Sequence, residues 1–332
     1  MIITSSNIIS NPDVSVFIIT YNQEKTIAQT IESILAQQGD FSLELVIGED
    51  CGTDGTRDIC KEYQQRYPKQ ITLLLQDNNQ GITKNYIDTL RLCRGKYLNV
   101  CAGDDYWCDT HKIAKQIAFL DANPGYGAIT TGGYRLLVEK NKFIEGIPPL
   151  HPVADGNVFD KTWQGGVYAM PLSLLFKAEL LKYFDFDEFI RRKFSVEDVP
   201  MQAILAKHTK FGHIPDLCVV YRVYNSSQTF INFNHPRYLF YHQGLVEIRR
   251  YLHELFPGEV EFSEQWAHDY MVYRRFLVAV YNFDYRSARK ELLSIQKISP
   301  KEQKAISRTK SRIGFYFFAL VKRWKLKKSE KV

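Results

Sequence analysis

Residues 14 to 21, Val-Ser-Val-Phe-Ile-Ile-Thr-Tyr, form an uncharged run rich in β-branched and aromatic side chains. That is the pattern of a central strand buried on both faces of a parallel sheet. After Asn22, apolar residues return at Ile27, Ile31, Ile34 and Leu35, a helical spacing that stops near Gly39. A second apolar run over 43 to 48 closes on Glu49-Asp50 and then on the turn-rich Cys51-Gly52-Thr53-Asp54-Gly55-Thr56. A helical stretch to Tyr67, an apolar run over 71 to 75, a helix around 82 to 93 and a strand over 97 to 101 follow. The alternation predicts an α/β domain with a parallel sheet.

The last of these strands runs through Ala102-Gly103 into two adjacent carboxylates, Asp104 and Asp105, followed by Tyr106-Trp107. Ligands of open α/β sheets bind at strand carboxyl ends. Two like charges side by side repel, a cost that is offset where a divalent cation lies between protein and a polyphosphate. Gly-Asp-Asp is also ordinary turn chemistry. The pair alone therefore leaves a metal-nucleotide site and a solvated loop both open.

Four segments carry a family resemblance: the run from Val14 to Asn22, the stretch from Glu49 to Thr56, the block from Asn79-Gln80-Gly81 to Lys84-Asn85, and Gly103-Asp104-Asp105-Tyr106-Trp107. In that order and spacing they resemble the inverting family 2 glycosyltransferases of GT-A fold, over roughly residues 13 to 230. The resemblance implies a GT-A nucleotide-diphospho-sugar transferase fold, a mostly parallel central sheet with flanking helices. It also implies transfer of a sugar from a nucleotide-sugar donor, a UDP-sugar foremost, to an acceptor hydroxyl, with Mn²⁺ or Mg²⁺ on the diphosphate.

Carried onto this chain, the resemblance places the donor nucleotide against Thr20, Tyr21 and Asp50. Local pattern alone would equally make Tyr21 a strand-end aromatic and Asp50 a turn residue; the motif order tips both towards the nucleotide. Lys84, one turn into a helix after Gly81, either brings positive charge to the phosphates or is an exposed helix lysine. Asp104 is assigned to the ribose or diphosphate with a share in the metal site, and Asp105 to direct metal coordination. Hard oxygen ligands suit both ions, and phosphates and waters complete the shell. Many relatives carry another Asp two residues before the pair; here Ala102 stands there, which leaves fewer carboxylates.

An inverting transfer needs a carboxylate base within reach of the attacking hydroxyl. The family places it in an acidic pair just before a late helix, and Ser195-Val196-Glu197-Asp198-Val199-Pro200 fits, with Asp198 as base and Glu197 beside it on the acceptor side. The same residues are ordinary helix N-terminus chemistry, and both readings hold together because a helix start fixes a carboxylate rigidly. On the acceptor side, Trp163 and Tyr168 flank Gly165-Gly166 and serve either as sugar-stacking aromatics or as packing. Arg222, in Val220-Tyr221-Arg222-Val223-Tyr224, is a candidate phosphate contact. Relatives often carry His two residues after this Arg; Tyr224 occupies that place, which puts a third protein metal ligand in doubt.

At 332 residues, 45% hydrophobic and 24% charged, the chain is long and apolar enough to bury a full core and add a second unit. Six cysteines, at 51, 60, 93, 101, 108 and 218, lack paired metal spacing and read as reduced intracellular thiols. The N-terminus has no signal-peptide pattern, and the apolar stretch over 315 to 321 is too short to span a bilayer, so a cytoplasmic enzyme at the inner face of the cell membrane is expected. The domain expectation is a transferase domain over 1–235 and a helical C-terminal region over 236–332. Within the latter, Leu245, Ile248, Leu252 and Leu255, then Trp266, Tyr270, Tyr273, Leu277 and Val280, then Tyr285, Ala288, Leu292 and Ile295 keep helical spacing.

Residues 308–332 hold nine Lys or Arg and one Glu, a net of +8, whereas the whole chain carries +6. The positive charge is thus local, and it surrounds the apolar stretch from Ile313 to Val321 and Trp324. A basic, aromatic amphipathic helix is the pattern of contact with an anionic membrane surface; a terminal helix docked on its own domain gives the same pattern. Nucleic acid is not expected, since no recognition motif accompanies the charge. The absence of a phosphate-binding loop ending in Lys-Ser/Thr and of a dinucleotide Gly-x-Gly-x-x-Gly argues against an ATPase or a dehydrogenase. The expected role is a glycosyltransferase of bacterial surface polysaccharide assembly (capsule, O-antigen or exopolysaccharide) acting on a glycan or lipid-linked glycan. A nucleotidyltransferase on a related fold and a silent membrane-associated binding protein are the alternatives.

Overall fold

The structure, a computed structural model, describes residues 1–146, 155–164, 169–224, 237–296, 299–309 and 311–329. The chain forms two compact units, Met1–Tyr224 and Asn225–Val332. The expected boundary at 235 falls in 225–236, outside the described residues.

In the first unit the strands are β1 (Ile2–Ile3), β2 (Val14–Thr20), β3 (Leu43–Glu49), β4 (Ile71–Leu75), β5 (Tyr97–Ala102), β6 (Tyr106–Trp107), β7 (Tyr126–Leu137), β8 (Lys142–Glu145), β9 (Leu175–Lys177) and β10 (Lys210–Val223). The helices are α1 (Ile27–Leu35), α2 (Thr56–Arg66), α3 (Ile82–Leu90), α4 (Lys112–Ala122), α5 (Phe159–Trp163), α6 (Phe186–Arg192) and α7 (Asp198–His208). The strands form one sheet in the order β1-β4-β3-β2-β5-β9-β7-β10-β6, with β8 paired to β7. β4, β3, β2 and β5 run parallel, as the four apolar runs predict, while β9 enters antiparallel between β5 and β7.

Period-2 alternation sorts the side chains between two helical layers. Val14, Val16 and Ile18 of β2, with Leu43, Leu45 and Ile47 of β3, pack with Ile27, Ile31 and Ile34 of α1, Cys60 and Tyr63 of α2, and Ile113 and Leu120 of α4. The opposite face meets α3, where Phe17 contacts Tyr86 edge-on at 5.0 Å between ring centroids. Gly48 lets α3 approach: a Cβ there would lie 1.9 Å from Thr89 Oγ1, and Asn85 Nδ2 donates to the Gly48 carbonyl at 2.9 Å. The domain is therefore an open, mainly parallel sheet covered on both faces, the GT-A-like architecture that the motifs imply.

The second unit is helical, with α8 (Tyr238–Leu255), α9 (Glu264–Tyr281), α10 (Tyr285–Leu292), α11 (Pro300–Ser307) and α12 (Arg312–Ser329). Ser263 and Asp284 cap α9 and α10, and Ser299 with Glu302 forms a capping box at α11. Tyr273, Phe276, Leu277 and Val280 of α9 pack with Ala288 of α10 and with Phe315, Phe318 and Ala319 of α12.

Candidate functional site

The order β4-β3-β2-β5 means that the chain builds outward from β2 to β4 and then returns to the other side of β2 for β5. The carboxyl ends of β2 and β5 thus flank a topological switch point, where open α/β sheets leave a crevice for ligand. Thr20 ends β2 and Tyr21 follows it, Asp50 follows β3, and Asp104 and Asp105 follow β5.

The loops after β2 and β3 are knitted together. Asn22 and Cys51 both adopt positive φ, 54° and 58°, so each chain turns sharply on leaving its strand. Asn22 Oδ1 accepts from the Thr53 N–H at 2.7 Å, and the Gln23 N–H donates to Thr56 Oγ1 at 2.7 Å. Glu49 is fully buried, its carboxylate accepting from the Gly52 N–H and from Arg57 Nε, each at 2.5 Å. Asp50 is buried as well, and its N–H donates to the Thr20 carbonyl at 3.0 Å. Its two carboxylate oxygens accept from the N–H groups of Gln80, at 2.7 Å, and Gly81, at 3.0 Å. Burial, the largest influence, raises its pKa against those hydrogen bonds. Each oxygen keeps a lone pair for a ligand donor. Tyr21, by contrast, is 44% exposed at the strand end, as a ring offered to a base would be.

Asp104 and Asp105 sit deeper. Gly103, just before them, lets Thr20 and Gln23 pack close: a Cβ there would lie 2.5 Å from Gln23 Oε1 and 2.7 Å from Thr20 Oγ1, and Thr20 donates to Gln23 at 2.7 Å. Thr26 and Thr30 of the α1 region donate to the Gly103 carbonyl, and Thr30 also donates to that of Asp105 at 2.6 Å. Burial pushes the Asp104 carboxyl up, against hydrogen bonding from Gln23 and the field of Arg222. Burial and then the Asp104 charge push Asp105 well above the carboxylate range. The Arg222 N–H donates to Asp105 Oδ1 at 2.8 Å, while its guanidinium donates to the Asp104 carbonyl and to Gln29 Oε1. Arg222 is thus buried against the carboxylate loop. Tyr224 lies in the same field, its hydroxyl pKa raised by burial and then by Asp104.

The donor set fits a hard divalent cation. Two desolvated carboxylates share one spot, and among the described residues neither forms an ion pair with Lys, Arg or His within 4.0 Å. Each would hold its charge more easily with a cation between them. Among the described residues, no cluster of three or more His, Cys, Asp or Glu side chains able to hold a metal occurs, so phosphate and water would supply the remaining ligands.

The Glu197-Asp198 pair opens α7, Glu197 at the N-cap and Asp198 as the first helical residue. Pro200 in the first turn gives up an N–H that has no partner within the helix. Glu197 is buried, its Oε2 has no hydrogen-bond partner among the described residues, and burial followed by the Asp198 charge raises its pKa to about 8. Asp198 is half-buried. The segment is fastened to α3, where Thr83 Oγ1 donates to the Phe194 carbonyl at 3.1 Å, and the charges of Glu197 and Asp198 both act on Tyr86. Since Asp50 holds Gly81 at the start of α3, one chain of contacts runs from Phe194, just before the Glu197-Asp198 pair, through α3, Asp50, Thr20 and Gln23 to Asp104, Arg222 and Asp105.

Lys84 pairs with Asp88 on its own helix at 2.5 Å, and Trp163 ends α5 half-buried. Tyr168 lies outside the described residues. Gln23, Gln29 and the Glu49–Arg57 pair, which organise the site, were not among the sequence candidates; only the adjacency of Gln23 to the Tyr21-Asn22 motif hints at one of them.

Fold and site together define a GT-A-like α/β domain with a candidate metal and nucleotide crevice. Residues 15–146 match the family model of glycosyl transferase family 2. Rv1520 of Mycobacterium tuberculosis is 41% identical over 110 residues, 33% of this chain and 32% of that protein. EpsE of Bacillus subtilis is 36% identical over 123 residues, 37% and 44% of the two chains. WfaP of Escherichia coli, a UDP-Glc:alpha-D-GlcNAc-diphosphoundecaprenol beta-1,3-glucosyltransferase, is 29% identical over 134 residues, 40% and 50% of the two chains. The matched segment thus spans a third to a half of these relatives. Among solved structures, S. aureus TarS 1-349 in complex with UDP-GlcNAc aligns with TM-score 0.56 at 14% identity, covering 94% of this chain and 92% of that one. The mannosyltransferase PcManGT from Pyrobaculum calidifontis, in complex with GDP-Man and Mn2+, aligns with TM-score 0.53 at 15% identity, covering 96% and 89%. At these identities the structural likeness concerns the fold.

Proposed function

We propose that the first unit is an inverting, metal-dependent glycosyltransferase that moves a sugar from a UDP-sugar to a hydroxyl of a growing surface polysaccharide, free or lipid-linked. The observation that carries the reading is the contact network that joins Asp50 and the Asp104-Asp105 pair at the switch point, with the segment leading into Glu197-Asp198 fastened to the same helix α3 through Phe194. Uridine donors are favoured by the names of WfaP and of the TarS complex, and polysaccharide assembly by the lipid-linked GlcNAc acceptor in the name of WfaP.

In this reading Tyr21 stacks on the base and Asp50 accepts from its edge. Asp105, with Asp104, holds Mn²⁺ or Mg²⁺, as the Mn2+ complex of PcManGT suggests. Bound there, such an ion would supply positive charge against the diphosphate. Asp198 accepts the proton of the acceptor hydroxyl as its oxygen bonds to the anomeric carbon; the bond from that carbon to the diphosphate oxygen breaks, and the nucleoside diphosphate leaves with the electron pair. A single displacement of this kind inverts the anomeric centre. Glu197, held neutral, leaves the negative charge of the acidic pair on Asp198. Arg222 and Gln29 keep the Asp104-Asp105 loop in place.

The test is calorimetric titration of the protein with UDP, GDP and dTDP, with and without Mn²⁺, beside Asp105→Ala. Metal-dependent binding of UDP that the variant loses supports the reading. A folded protein that binds none of the three would overturn it and favour a silent fold.

A further inference from the structure

α12 presents two opposed apolar faces. Phe315, Phe318 and Ala319 are buried in the core of the second unit, against α9 and α10. On the other side, Ile313, Phe317, Leu320 and Trp324 are 85%, 69%, 58% and 60% exposed. Their spacing of four, three and four residues keeps them within one narrow stripe at 100° per residue, and the buried set falls on the far side of the helix. A single docked helix needs only the buried face. Four large apolar side chains in line on an ordered helix mark a surface that something covers.

Charge selects the occupant. The segment 308–332 carries a net of +8. Two arginines on one flank of the helix are held by aromatic rings of the same unit: Arg312 lies 5.6 Å from the Tyr285 ring centroid, and Arg323 lies 4.7 Å and 4.8 Å from those of Tyr281 and Phe283. Lys322 lies 5.7 Å from the Phe318 ring. A second copy of this helix would bring like charges together, whereas an anionic lipid surface takes both the apolar stripe and the positive charge of the segment. The Trp side chain suits the boundary between acyl chains and headgroups. No helix among the described residues is long and apolar enough to cross a membrane, so the contact is interfacial.

We infer that α12 is a two-sided helix that docks on the second unit through Phe315, Phe318 and Ala319 and lies on an anionic lipid surface through Ile313, Phe317, Leu320 and Trp324. The inference does not depend on the transferase reading. It is tested by co-sedimentation of the full chain with phosphatidylcholine vesicles and with vesicles that also contain phosphatidylglycerol. The expected result is binding to the anionic vesicles alone, weakened by about tenfold or more for each residue changed in Phe317→Ser and Leu320→Ser, since each removes a buried large apolar group. Because both positions are exposed, the variants should keep the melting temperature and the nucleotide binding of the wild type. Trp324→Phe should keep binding but lose the blue shift of tryptophan emission that vesicles induce. Equal binding by the serine variants, equal binding to neutral vesicles, or a lipid-independent dimer abolished by the same variants would each overturn the inference.

Discussion

The main-chain N–H of Arg222 donates to Asp105 Oδ1 at 2.8 Å, while its guanidinium lies 4.6 Å from the Tyr106 ring centroid and donates to the Asp104 carbonyl. One residue at the end of β10 thus fixes both members of the acidic pair. In Arg222→Ala the N–H remains and the guanidinium contacts to Asp104 and Gln29 disappear. Hydrogen bonds to charged groups contribute about 1.5–3 kcal/mol, so metal-dependent UDP affinity should fall by about tenfold or more. Arg222→Lys should recover little, because an ammonium cannot span two acceptors as the planar fork does. Calorimetry on the two variants decides; wild-type affinity in Arg222→Ala would mean that the loop holds itself.

Asp198→Asn isolates the proton-accepting step. The amide fits the space at the start of α7 but cannot take a proton, so nucleotide binding should persist while transfer falls by about 10²–10⁴-fold. Single-turnover assays beside calorimetry separate the two. A parallel loss of binding would make Asp198 a structural residue of the crevice.

The parallel core was legible because β2 to β5 are short, mostly apolar runs, each broken by one polar residue within it (Ser15, Glu44, Thr72 and Asn99), and separated by turn signals and helical spacing, the pattern of strands covered on both faces. β7 and β10 were not identified: β7 contains Gly127, Gly132 and Gly133, β10 contains Gly212, Pro215 and Asp216, and their register shifts near Leu217. The acidic positions of the site were legible from motif order. Their supports were not, since Gln29 and Arg222 meet only after α1 and β10 have been brought together across 193 residues of chain. The docking of one face of α12 was likewise hidden, because Phe315 and Phe317 look alike in a sequence and differ only in which side of the helix they occupy.

Asp50 is predicted to matter to the fold as much as to the ligand. Both of its oxygens receive main-chain N–H groups that start α3. Asp50→Asn turns one acceptor into a donor facing an N–H, which costs about 1–3 kcal/mol. The melting temperature should fall by several degrees and UDP binding should weaken. Thermal unfolding monitored by circular dichroism gives the first quantity and calorimetry the second; an unchanged melting temperature would show that Gln80 and Gly81 find other acceptors.

Lys112 is fully buried, its ammonium 2.9 Å from Gln116 Oε1 and 4.0 Å from the Trp107 ring centroid, and burial lowers its pKa from 10.5 to about 7. Below about pH 7 the folded state carries this charge at full cost. Between about 7 and 10.5 the unfolded chain binds a proton that the folded state does not, so this group makes stability rise with pH across that window. Lys112→Met should therefore stabilise most at about pH 6 and least at about pH 10. Urea midpoints of wild type and variant at both values test it, and a constant difference would mean that Lys112 is not desolvated.

Glu197 carries the opposite dependence. Its carboxyl is raised from 4.5 to about 8, so between those values the folded state holds a proton that the unfolded chain has lost, and stability falls as pH rises through the window. Glu197→Gln keeps the size and neutrality of the protonated side chain and removes the titration. The variant should match the wild type at about pH 4, gain stability over it steadily to about pH 8, and retain transfer at neutral pH, since Asp198 keeps its charge. Urea midpoints across the range check the first part and initial rates at neutral pH the second. A variant that loses both stability and transfer near pH 7 would mean that Glu197 is ionised in the fold, which would pass the role of base from Asp198 to Glu197.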